Sequence, residues 1–151
     1  MKMKQRRMEK KLNIVLDDYA LLPERAHSTD AGLDLKTPVD FEINPGASFT
    51  VNTGVHVQLP KGTVGMLKSK SGLNVRDSVV SEGVIDEGYT GAIRVKLYNH
   101  GYGVKKFFRG DKITQLVILP VVIPDGMAVL ANVDELEQTE RGEQGFGSTG
   151  R

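Results

Sequence analysis

The side chains of this 151-residue chain that could carry chemistry fall in a few short, glycine-marked stretches. Gly83-Val84-Ile85-Asp86-Glu87-Gly88-Tyr89-Thr90-Gly91 holds a carboxylate and an aromatic ring in one turn. A turn anchored between two strands keeps such groups rigid enough to face one ligand. Taken alone, the stretch reads better as an ordinary hairpin, with Asp and Gly serving turn geometry. Lys70-Ser71-Gly72-Leu73 offers a cation, a hydroxyl and backbone N–H groups, a set that suits phosphate oxygens. By itself it reads better as a surface loop with solvated lysines. Gln115 interrupts the apolar run Lys112–Pro120 and needs a hydrogen-bonding partner. So does Asp34, set between Leu33 and Leu35, whether that partner is structural or lies beside a metal.

The last such stretch is Arg141-Gly142-Glu143-Gln144-Gly145-Phe146-Gly147-Ser148-Thr149-Gly150-Arg151. It has too many glycines to fold by itself. Arg141 and the hydroxyls of Ser148 and Thr149 suit phosphate, and Phe146 suits stacking on a base. Gly142 and Gly147 are spaced as in a phosphate-binding loop, but the lysine that motif requires is missing, which excludes a P-loop NTPase. A lid that orders on binding is the better reading than a linker.

Strands must position these groups. Leu12–Leu16 reads as the first strand, and Ala92–Tyr98 alternates apolar and polar as a half-buried strand does. Asn44-Pro45-Gly46 and Pro60-Lys61-Gly62 punctuate further short strands, which together predict an all-β sandwich or barrel. Only Leu67–Asn74 hints at a short helix. Arg109-Gly110-Asp111 reads as a plain β-turn rather than an integrin ligand.

Composition sets the limits. With 39% hydrophobic and 26% charged residues the chain is expected to be a soluble single domain. A net charge of +1 argues against direct nucleic-acid capture, and no apolar run reaches membrane-spanning length. The absence of cysteine removes disulfides and thiol catalysis and suits the cytoplasm. Three scattered histidines, His27, His56 and His100, do not make a zinc site. Residues 1–11 read as a basic, solvated tail, 12–138 as one β domain and 139–151 as the lid.

Assembled in this order, five segments resemble the trimeric deoxyuridine triphosphatases: Ala31–Leu35, Lys70–Leu73, Gly83–Gly91, Lys112–Leu116 and Arg141–Gly150. The resemblance runs from the first strand to the last residue. It implies a distorted jelly roll (a β-clip) of short strands with at most one short helix, assembled as a homotrimer with active sites between subunits. It further implies hydrolysis of dUTP to dUMP and pyrophosphate with Mg²⁺ carried on the triphosphate. Within the resemblance, Asp86 is the general base and Tyr89 packs under the deoxyribose. The backbone from Val79 to Val84 reads the uracil. Lys70, Ser71, Gly72 and Gln115 face phosphate oxygens, and Asp34 supports the metal-bound waters without binding metal directly. Arg141, Gly147, Ser148 and Thr149 close over the phosphates while Phe146 covers the uracil. The family usually has Arg where this chain has Lys70, which loses a planar two-pronged donor.

Two other readings stay open at this stage. A dCTP deaminase of the same fold needs a carboxylate beside the base, and Glu82 is the candidate. A nucleotide-sensing regulatory protein, or a protein regulator as a second partner, would use the same pocket for signalling.

Overall fold

In a computed structural model of the chain, residues 11–147, 149 and 150 are described. The basic segment 1–10 and the site candidate Ser148 lie outside the described residues. Ten strands run in chain order: β1 (Asn13–Leu16), β2 (Gly32–Lys36), β3 (Phe41–Ile43), β4 (Ser48–Asn52), β5 (Val55–Gln58), β6 (Thr63–Lys68), β7 (Val79–Ile85), β8 (Arg94–Asn99), β9 (Lys105–Phe107) and β10 (Lys112–Pro120). They form an antiparallel sheet in the order β2-β10-β6-β7-β8-β4, flanked by the pairs β1-β5 and β3-β9. The all-β expectation holds, and the fold is a curled jelly roll.

Among the described residues helical structure is confined to two short turns, and its position differs from the sequence reading. Leu67 and Lys68 finish β6, and the first helical turn spans Gly72–Arg76; the second, Val133–Glu135, is capped by the Asn132 side chain. A short apolar spacing around a strand end does not distinguish the two states, and pairing with β10 decides for the strand.

Alternation explains the core. Along β8, Val95, Leu97 and Asn99 point inward while Arg94, Lys96 and Tyr98 stay exposed. Leu35, Ile43, Val51, Val55, Leu67, Ile93, Ile113 and Leu116 complete a buried cluster between the curled faces. Each fully buried aliphatic of this kind contributes about 1.5–3 kcal/mol. Buried Asn99 ties β3 to the loop after β8, donating to the carbonyls of Ile43 and Gly103 and accepting from the Gly101 amide. Arg109-Gly110-Asp111 forms a tight turn closed by the Asp111 amide on the Phe108 carbonyl.

β7 makes the corner of the sheet. Val79–Ser81 pair with β8, whereas Glu82–Ile85 pair with β6. Beyond Ser81 the two strands diverge, so the segment after β7 is not the tip of a simple β7–β8 hairpin. The corner is filled by hydroxyls: Ser81 Oγ lies 2.8 Å from Thr114 Oγ1, and the Ser81 amide donates to Ser69 Oγ at 2.9 Å.

After β10 the chain leaves this body. The Val121 amide still donates to the Gly62 carbonyl at 2.9 Å. From Val122 on, the described hydrogen bonds are local to the arm itself, and Val122, Met127 and Val129 are almost fully exposed.

Candidate functional site

Asp86 stands immediately after β7, exposed, where the chain turns back with the Tyr89 amide on the Asp86 carbonyl at 3.0 Å. Two ties pin the turn. Glu87 Oε1 accepts from the Gly62 amide, and the Thr90 carbonyl lies 2.8 Å from His56 Nδ1. Tyr89 folds over Gly91, its hydroxyl donating to the Ala92 carbonyl at 3.0 Å. A Cβ at position 91 would lie 2.5 Å from that hydroxyl, so only glycine admits the ring in this pose. The Asp86 carboxylate has no side-chain partner among the described residues.

Because β8 departs beyond Ser81, one backbone edge of Glu82, Gly83 and Val84 has no strand beside it. Those amide and carbonyl groups still require partners. Val84 itself is exposed. Asp86, Tyr89 and a free backbone edge are thereby grouped on one side of the molecule.

The second group lies at the opposite end of β6. Gln115 pairs across β10–β2 with Asp34, and its Nε2 donates to the Ser69 carbonyl at 3.1 Å. The contact is close because residue 32 is glycine: a Cβ there would sit 2.5 Å from Gln115 Oε1. Lys70 follows, its Nζ 2.5 Å from Asp34 Oδ1. Ser71 and Gly72 open the helical turn, with no cap bond from Ser71 and open space beside Gly72.

Asp34 is 7% exposed at its side chain, and the partner it required is a pair of lysines. Lys112 Nζ approaches its second oxygen at 3.3 Å and also meets Glu24 at 2.9 Å; Lys36 meets Glu24 at 2.9 Å. Three ammonium groups thus alternate with two carboxylates, leaving one positive charge in excess. The two lysines beside Glu24, Lys112 above all, hold its carboxyl down at about 2. The Glu24 and Asp34 carboxylates in turn raise Lys112 above the usual ammonium range. Glu24 and Lys36 carried no signal in the sequence, since their meeting depends on the pairing of β2 with β10. Lys112 opens one of the five segments, but its charge pairing was not legible there.

These two groups are not brought together within one chain. Gly65 pairs with Ile85, just before Asp86, whereas Lys70 lies five residues further along; at the rise of an extended strand that is about 16 Å. Arg141, Phe146, Gly147 and Thr149 form a third group on the exposed arm. Arg141 Nε donates to the Gln144 carbonyl at 2.8 Å, and Phe146 and Gly147 both take positive φ. Among the described residues no three His, Cys, Asp or Glu side chains converge as a metal-binding group. Among the described residues no helix is long and apolar enough to cross a membrane. Glu82, the carboxylate a deaminase would need, is exposed and paired with Lys68 at 2.7 Å.

Comparison with known proteins places this arrangement. A family model described as dUTPase matches residues 18–150. The deoxyuridine 5'-triphosphate nucleotidohydrolase of Gloeothece citriformis is 44% identical over 138 residues, covering 89% of this chain and 92% of that protein. The protein of the same name from Clostridium acetobutylicum is 41% identical, covering 89% and 92%. The dUTPase of Staphylococcus bacteriophage 80alpha, solved with dUPNHPP, superimposes with a TM-score of 0.83 at 32% identity, covering 93% of this chain and 99% of that one. A dUTPase from phage phi11 of S. aureus, whose structure shows a structural Mg(II) ion, superimposes with a TM-score of 0.75 at 28% identity, covering 83% and 99%. With its two polar groups at opposite ends of one strand and a glycine-rich arm beyond them, the chain belongs to the dUTPase family.

Proposed function

We propose that the chain hydrolyses dUTP to dUMP and pyrophosphate, clearing dUTP and supplying dUMP for thymidylate synthesis. The observation that carries this is the exposed Asp86 carboxylate, without a side-chain partner among the described residues, beside Tyr89 on a turn tied down at both ends. Asp86 takes a proton from water as the oxygen bonds to the α-phosphorus. The bond from that phosphorus to the bridging oxygen breaks, and pyrophosphate leaves with the electron pair. A base positioned this way supplies about 10²–10⁴-fold in rate. Mg²⁺ arrives on the triphosphate as part of the substrate and offsets its negative charge.

The remaining roles follow from chemistry at each place. The free edge of Glu82–Val84 suits the hydrogen-bonding edge of uracil. Tyr89 offers a flat support for deoxyribose that leaves no room for a 2′-hydroxyl. Lys70, Ser71, Gly72 and Gln115 supply a cation and polar donors to phosphate oxygens. Asp34 serves them through Lys70 and Lys112, both of whose ammonium groups it fixes.

Separation of the first two groups along β6 favours a homotrimer in which one copy reads the nucleoside and a second holds the phosphates. The arm of a copy, residues 139–151 at its end, then closes over the bound nucleotide. There Arg141, Gly147, Ser148 and Thr149 meet the γ-phosphate and Phe146 covers the base. The apolar side chains exposed along the arm are those such an assembly would bury. The enzyme is placed in the cytoplasm, which fits a chain without cysteine.

An assay with Mg²⁺ and either dUTP or dCTP tests the function. Pyrophosphate from dUTP, with no ammonia from dCTP, is expected. Ammonia from dCTP would overturn it in favour of deamination.

A further inference from the structure

His56 lies on β5 opposite Val15 of β1, outside the five segments that carry the family resemblance. Both of its ring nitrogens face acceptors. Nδ1 is 2.8 Å from the Thr90 carbonyl, and Nε2 is 3.2 Å from Asp17 Oδ1. A carbonyl oxygen and an ionised carboxylate cannot donate. A neutral imidazole has one N–H, so one of the two contacts would then set lone pair against lone pair. Only the imidazolium satisfies both.

We propose that His56 is a protonation-dependent positioning residue, clasping the Asp86–Gly91 turn to the segment after β1 only while its ring is charged. This rests on the function proposed above. The groups facing the ring fit the role. Asp17 is fixed by its amide on the Gly54 carbonyl at 2.9 Å and by the Tyr19 hydroxyl at 3.2 Å. Arg94 of β8 acts on Tyr19 behind it, while Asn13 and Val15 from β1 and Gln58 from β5 bring no charge. The ring borders a cavity of about 480 Å³ and keeps 28% of its side chain exposed, so it exchanges protons with solvent. The Thr90 carbonyl first, and the Asp17 carboxylate after it, raise its proton affinity above the ordinary value of 6.5, against the opposing effect of burial.

The consequence for catalysis is directional. Glu87 pins the Asp86 end of the turn to Gly62 through a contact that does not involve His56. Thr90 adjoins Tyr89, so losing one of the two His56 contacts loosens the sugar support and leaves the base in place. KM should respond more than kcat.

The test measures kcat and KM for dUTP between about pH 6 and 9 in the wild type, His56→Asn and Asp17→Asn. The asparagine amide can replace Nδ1 as donor to Thr90 without titrating. In the wild type, KM is expected to rise about fivefold as pH climbs past the ordinary imidazole range, matching the net worth of one hydrogen bond. His56→Asn should flatten that rise, and Asp17→Asn should move it to lower pH. Proton NMR of the nucleotide-free protein, with the His56 signal assigned by its loss in His56→Asn, should show the ring titrating above 6.5. Identical KM profiles in wild type and His56→Asn, or a ring titrating at or below that value, would overturn the proposal. If dUTP is not turned over at all, the proposed function fails, and the NMR titration still decides the clasp.

Discussion

Lys70 Nζ stands 2.5 Å from Asp34 Oδ1, joining the loop after β6 to the middle of β2. The carboxylate is nearly buried and the ammonium partly exposed, so truncating the acid strands a cation that water can still reach. Asp34→Ala should therefore cost about 2–3 kcal/mol, less than a fully buried pair. Asp34→Asn should recover part of it, since the amide oxygen still accepts one bond. Urea denaturation of the two variants checks the order.

Under the proposed function, Asp86→Asn isolates the chemical step. The carboxamide keeps the shape of the turn but cannot take a proton from water. Turnover of dUTP should fall by about 10²–10⁴-fold while KM changes little. Steady-state kinetics that found near-normal kcat would remove Asp86 from its role.

Acid should reveal the lysine–carboxylate network. Glu24 is held at about 2 by Lys112 and Lys36, below its ordinary 4.5. A depressed carboxylate contributes stability that is complete above 4.5 and is lost as pH falls through about 2. The difference in Tm between wild type and Glu24→Gln should be full near neutral pH and close across that interval. A difference that stayed constant with pH would show that the pairing contributes nothing.

Ending the chain before Arg141 should leave a folded oligomer with almost no turnover. The arm beyond Val121 shares no described hydrogen bond with the β-body, so removing its last residues takes nothing from the core. Light scattering and a dUTP assay on the shortened protein test both halves.

What could be seen in the sequence was mostly local. Alternation placed Val95 and Leu97 inside and Arg94 and Lys96 outside, as β8 shows. Gln115 was legible as a polar group in need of a partner, and the Ser69 carbonyl supplies it. The partner switch of β7 was not legible, because period-two alternation tells which face is buried but not which strand lies alongside. For the same reason the turn at Asp86 looked like a hairpin tip. The lysine partners of Asp34 were hidden too: a lone acid between leucines signals that some partner is needed, and only the register of β2, β10 and β6 says which one.

The arm carries a last implication. Its exposed Val122, Met127 and Val129 find no cover among the described residues of their own chain. In the proposed assembly, then, a lesson of ownership follows: the copy that bears a defect is not the copy that suffers it. A copy lacking its end and a copy lacking the Asp86 carboxylate, each inert in isolation, should rescue one another once their subunits are shuffled, because some mixed sites inherit an intact acid from one parent and an intact end from the other.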